Sequence, residues 1–133
     1  MSGETSAHTR LVERLISHVR EKHKPPRGLL MLADHHSFGN NRPPQIGGYT
    51  PDLFASDLPA TFEVVGEAKT MADLETSRSQ RQILAFLDYL SVRHGSSFYL
   101  VVPPFQRRRS AAIVDALRTA AHGDIAIEVI DGL

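Results

Sequence analysis

The apolar positions of this chain change period several times along its length. Between Ala7 and His23, Leu11, Val12, Leu15, Ile16 and Val19 recur at three- and four-residue steps, which predicts an amphipathic helix. Lys24-Pro25-Pro26-Arg27-Gly28 ends it. Leu29–Ala33 is apolar over the length of a strand. Ser37 to Thr50 holds three glycines, two prolines and two asparagines, the composition of a mobile loop. Pro51–Ala55 and Thr61–Lys69 predict the two strands of a hairpin, with Ser56-Asp57-Leu58-Pro59 as its turn and residues 70–76 as the connection onward. A second amphipathic helix is predicted over Ser77–His94, with Ile83, Leu84, Phe86, Leu87 and Leu90 apolar and Gly95 as its stop. Ser97–Val102 reads as a buried strand ended by Pro103-Pro104. Ser110–His122 reads as a third helix, with Ile113, Val114 and Leu117 inward, and Ile125–Ile130 as the last strand. Residues 1–6 are small and polar and are expected to be a loose end.

The predicted order is therefore α-β-β-β-α-β-α-β. Strands interleaved with helices imply an α/β protein with a mixed sheet and helices on both faces. Ser97–Val102 is apolar at nearly every position, as a strand covered on both faces should be. No repeat or linker divides the 133 residues, which are expected to form a single domain.

Composition narrows the function mainly by exclusion. Fifteen basic and fifteen acidic side chains cancel, so no global field draws the chain onto nucleic acid and any such contact must be local. The absence of cysteine excludes disulfides and thiolate metal sites and fits a reducing cytoplasm. No apolar run approaches the roughly 20 residues that cross a bilayer.

The candidate chemistry sits on the hairpin. Side chains on a strand alternate between faces, so Phe62, Val64, Gly66 and Ala68 form a packing face while Glu63, Val65, Glu67 and Lys69 share the other. Glu67 and Lys69 then project side by side, with Asp52 on the neighbouring strand. Two carboxylates on adjacent strands suit a hard divalent cation such as Mg2+, which prefers oxygen ligands and keeps several waters. Lys69 beside them suits the positioning of a water and the offsetting of negative charge on a phosphate. The plain alternative is a solvated Glu-x-Lys pair on an exposed strand.

Pro51-Asp52 followed by Glu67-Ala68-Lys69 resembles the two halves of the PD-(D/E)xK nuclease motif. The resemblance runs from about Gly47 to Val102. It is most similar to Holliday-junction-resolvase-like and VRR-NUC-like members through Gly48-Tyr49-Thr50-Pro51-Asp52-Leu53, Val65-Gly66-Glu67-Ala68-Lys69, Ser79-Gln80, Gly95 and Phe98–Val102. The spacer before Asp52 is one residue longer than in that pattern. The resemblance implies a three-layer α/β/α restriction-endonuclease-like fold and Mg2+- or Mn2+-dependent hydrolysis of DNA. Asp52, Glu67 and the Ala68 carbonyl would be metal ligands, and Lys69 the catalytic lysine. It also implies a glutamine on the following helix. Gln80 falls within the apolar face centred near Ile83 and is the favoured candidate, with Gln82 as the alternative. Glu13 on the first helix, at the border of its apolar face, matches a glutamate that approaches the metal in resolvase-like members.

Arg107-Arg108-Arg109 is the clearest basic patch, suited to phosphate contact. Arg42, Arg78 and Arg81 are candidates to line the same groove. Asp34-His35-His36 would begin a transition-metal site only with a further ligand at fixed spacing, which the sequence lacks; an ordinary polar role at the loop edge is expected instead. The expectation is a metal-dependent endonuclease. One site per chain would require a homodimer to cut two strands. The alternatives are a non-cleaving DNA-binding or assembly module on the same fold and an enzyme acting on a small phosphoester.

Overall fold

A computed structural model describes residues 6–132; the expected loose end at residues 1–5 lies outside the described residues, and Ser6 already belongs to the first helix. The elements are α1 (Ser6–Lys22), β1 (Leu29–Ala33), β2 (Leu53–Asp57), β3 (Glu63–Ala68), α2 (Met71–Leu74), α3 (Ser77–Ser91), β4 (Ser97–Val102), α4 (Arg107–Leu117) and β5 (Ala126–Asp131), with short 3-10 turns at His36–Phe38 and Ala120–His122. The strands lie in one mixed sheet in the order β1-β2-β3-β4-β5. β1, β2 and β3 pair antiparallel, whereas β3, β4 and β5 run parallel.

Two apolar layers follow from the strand alternation. Leu11, Val12, Leu15, Ile16 and Val19 of α1 pack with Ala33, Leu53, Ala55, Val64, Ala68, Tyr99 and Val101 on one face. On the other, Leu74, Ile83, Phe86, Leu87, Leu90 and Val114 pack with Val65, Phe98, Leu100 and Val102. The result is a three-layer α/β/α fold with α1 alone on one side and the remaining helices on the other.

The docking of α1 depends on two glycines. A Cβ on Gly66 of β3 would lie 2.8 Å from Leu15 Cδ2, and one on Gly132 would collide with Leu11 Cδ2. Leu11 and Leu15, one turn apart, thus each fill a notch that only glycine leaves open.

Several boundaries differ from the sequence expectation. The hairpin turn lies beyond Ser56-Asp57, both of which belong to β2. The Asp57 carboxylate accepts from the Thr61 amide (2.6 Å) and hydroxyl, so this aspartate closes the turn from the strand end rather than sitting within it. The connection at residues 70–76 contains α2, nucleated by a Thr70/Asp73 capping box. The last helix begins three residues early, at Arg107. The Gly/Pro-rich loop is pinned: Ile46 is buried in the α3-side core, and Gly47 lies against Ala85 of α3. No helix among the described residues is long and apolar enough to cross a membrane.

Gly66→Val should lower stability by about 1–3 kcal/mol through overpacking against Leu15. The check is the midpoint of urea unfolding, and a Leu15→Ala background should reduce the penalty because it clears the notch.

Candidate active site

The β2–β3 register pairs Leu53 with Gly66, so the next pair outward is Asp52 and Glu67. The two residues are laced together. The Asp52 backbone amide donates to Glu67 Oε1 at 2.8 Å, and Asp52 Oδ2 accepts from the Ala68 backbone amide at 2.9 Å. Each carboxylate therefore spends one oxygen on the other's strand and keeps one for the site. Glu67 Oε2 lies 3.5 Å from Lys69 Nζ, and Asp52 Oδ1 lies 3.6 Å from His8 Nε2.

Both carboxylates are buried, Glu67 to 2% exposure. Burial pushes the Glu67 carboxyl well above the ordinary glutamate range, the nearby Asp52 charge pushes it further, and Lys69 pulls the other way. With two carboxylates against one ammonium, the cluster has room for one more positive charge. A proton on Glu67 or a bound cation would satisfy it.

Lys69 is held by α3. Its ammonium donates to Gln82 Oε1 at 2.8 Å, and Gln82 is buried. Gln80, favoured from the helical wheel, instead donates its amide to the Leu74 carbonyl at 3.0 Å and ties α2 to α3. The apolar residues alone centre the helix face on Ile83. The observed buried face runs through Ser79, Gln82, Ile83, Phe86, Leu87 and Leu90, which turns Gln82 inward.

Glu13 does not stand at the carboxylate pair. Its Oε2 meets His35 Nε2 at 2.9 Å, while His35 Nδ1 caps the short 3-10 turn through the Ser37 amide. This gives His35 an anchoring role between α1 and the loop. His8, in the first turn of α1, is the residue that sequence reading missed. It heads the stripe continued by Val12, Leu15 and Val19, and a polar residue at the head of an apolar stripe was the available signal.

The arginines disperse around this end of the sheet. Arg42 pairs with Asp34 and donates to the Gly39 carbonyl at 3.0 Å. Arg78 lies over the Tyr49 ring, 5.4 Å from its centroid. Arg107 reaches Asp131 at 3.8 Å, and Arg81, Arg108 and Arg109 are exposed. Among the described residues no group of three or more His, Asp or Glu side chains is arranged to hold a metal ion. The donor set is thus Asp52 Oδ1 and Glu67 Oε2, the oxygens not bonded to a backbone amide, to be completed by backbone carbonyl and water. That suits a hard cation that keeps most of its hydration shell and does not suit a transition-metal cage.

Glu67 carries a pH dependence with a definite sign. Its carboxyl binds a proton more tightly folded than unfolded. Its favourable contribution is therefore complete below the ordinary value of 4.5 and is lost as the pH rises through the raised folded value. Without divalent cations, Glu67→Gln should melt at a higher temperature than the parent at pH 8, and the gap should close by pH 4. An equal gap at both pH values would show that Glu67 is not strained by its charge.

No family model matches the sequence, and no curated protein matches it. Among solved structures, Pyrococcus furiosus SfsA, determined in complex with Ca2+, superposes with a TM-score of 0.55 at 16% identity, over 92% of this chain and 57% of that chain. The chain thus spans little more than half the length of this neighbour. At this identity the likeness is one of fold, a shared α/β/α core.

Proposed function

We propose that the chain is a metal-dependent deoxyribonuclease whose site is Asp52, Glu67 and Lys69, with Gln82 as the residue that positions the lysine. The observation that carries this reading is the buried, mutually laced carboxylate pair with a lysine held beside it by a buried amide. A solvated Glu-x-Lys pair would need neither the burial nor the brace. The neighbour's capture with Ca2+ and its shared core are consistent support.

Asp52 Oδ1 and Glu67 Oε2, with the Ala68 carbonyl, would hold Mg2+ or Mn2+. Bound there, the cation would supply Lewis acidity and a water of lowered pKa. The protein's own part is positional and electrostatic. The reciprocal bonds to the Asp52 and Ala68 amides fix both carboxylates before any ligand arrives, so no reorganisation is needed during reaction. Gln82 holds the Lys69 ammonium beside Glu67, where it offsets charge developing on a phosphate and orients the attacking water. Arg78, Arg81, Arg108 and Arg109 would contact backbone phosphates near the site. Cutting both strands of a duplex would call for two copies of the chain.

The test is a panel of single-stranded, duplex, nicked, flap and four-way DNA substrates with Mg2+ or Mn2+. Asp52→Asn and Lys69→Ala should each lose at least about 100-fold in cleavage rate. Gln82→Ala should lose about 10- to 100-fold, and Gln80→Ala should cleave like the parent. Undiminished cleavage in excess EDTA or by Lys69→Ala would overturn the proposal. Tight DNA binding without cleavage of any substrate would favour the non-cleaving module.

A further inference from the structure

Phe105 is an outlier in two respects at once. Its side chain is fully exposed, at 101%, and its backbone has φ of 70°, a left-handed conformation that a bulky residue rarely takes. The Gln106 amide donates to the Pro103 carbonyl at 3.3 Å. This closes a turn with Pro104 in its second position, where proline is favoured, and Phe105 in its third, where a positive φ normally selects glycine. The conformation holds an apolar ring in solvent with no packing return.

The surroundings of this turn are specific. The Gln106 side chain accepts from the Met71 amide at 2.8 Å, two residues after Lys69, and the Lys69 amide donates to the Val101 carbonyl at 3.0 Å. The turn is therefore fastened to the end of the sheet that bears the carboxylate pair. It leads into Arg107, Arg108 and Arg109, all exposed in α4, whose first turn holds no acidic residue. Cations there oppose the helix dipole, and whereas Arg107 pairs with Asp131, Arg108 and Arg109 gain little from the fold.

We infer that Phe105 is a stacking platform for an unpaired base of single-stranded DNA, with Arg108 and Arg109 gripping the adjoining phosphates. This rests on the deoxyribonuclease reading and narrows its substrate to DNA with a free base near the cut, such as a single strand, flap or junction. A solvent-facing ring can stack only on a base whose face is free, and bases within a duplex have both faces covered. One ring beside a cluster of arginines offers too little apolar surface to anchor in a bilayer, whereas aromatic-plus-basic pairing is how single strands are held without sequence choice.

The chain contains no tryptophan, so Phe105→Trp installs a single reporter at the site. In EDTA, where cleavage is suppressed, oligo-dT should quench its fluorescence, and a duplex of equal length without overhangs should quench it far less. Phe105→Gly should weaken oligo-dT binding by about 5- to 100-fold in fluorescence anisotropy, while its melting temperature stays equal or rises because glycine accepts the positive φ. Arg108→Ala with Arg109→Ala should flatten the salt dependence of binding by about 0.7 per lost phosphate contact. Parent-like affinity of Phe105→Gly, absent quenching, or quenching by anionic phosphatidylserine vesicles but not by oligo-dT would overturn the inference. Binding is read without turnover, so a chain that stacks DNA but never cuts it would refute the nuclease reading alone.

Discussion

The carboxyl of Glu67 sits in a place that resists an ion, and the rest of the site is arranged around that conflict. Its desolvation is offset only in part, by one backbone amide from Asp52 and by the Lys69 ammonium. Asp52 at the same time adds a second negative charge beside it. A group in this position is destabilising unless charge is delivered to it. The elements that enclose it therefore have a purpose beyond packing: β2 supplies the laced partner, β3 the glutamate and lysine, and α3 the buried amide that keeps the lysine in place. This is the kind of local conflict that compact proteins tolerate at functional positions and remove elsewhere.

The site could be read from the sequence where its geometry follows from a strand's two-residue period. Glu67 and Lys69 had to share a face, and Asp52 had to fall near them once a hairpin was inferred. The bounds of Leu29–Ala33 and Ser97–Val102 were also legible, because each is an apolar run with sharp flanks. What escaped depends on tertiary contacts. The hairpin reached two residues further than its turn composition suggested, because Leu29 pairs with Asp57 across to β1 and the Asp57 carboxylate caps the turn from the strand end. The choice between Gln80 and Gln82 turned on a rotation of α3 about its axis, and neighbouring sheet residues set that rotation, not the helix itself. His8 rather than Glu13 meets Asp52 for a similar reason: the first turn of α1, not its second, lies beside Asp52.

The two sides of the sheet also differ in what they contribute. The α3 side bears the polar contacts of β3: Glu63 meets Tyr89 and Arg93 at one end, and Lys69 meets Gln82 at the other. The α1 side is almost wholly apolar near β3 and acts as the rigid backing. Ion pairs and hydrogen bonds on one face can be exchanged while the other face holds the strands in register.

The glycine notches beneath α1 extend that backing role into something closer to metrology. Leu11 and Leu15 key the helix to Gly132 and Gly66, and so fix its height along the sheet and its rotation together. His8, less than one turn above Leu11, inherits its place over Asp52 from that keying. Two residues without side chains, one of them at the far end of the sequence, thereby set the spacing at the site. A substitution at either that still folds would leave Asp52 and His8 simply out of gauge.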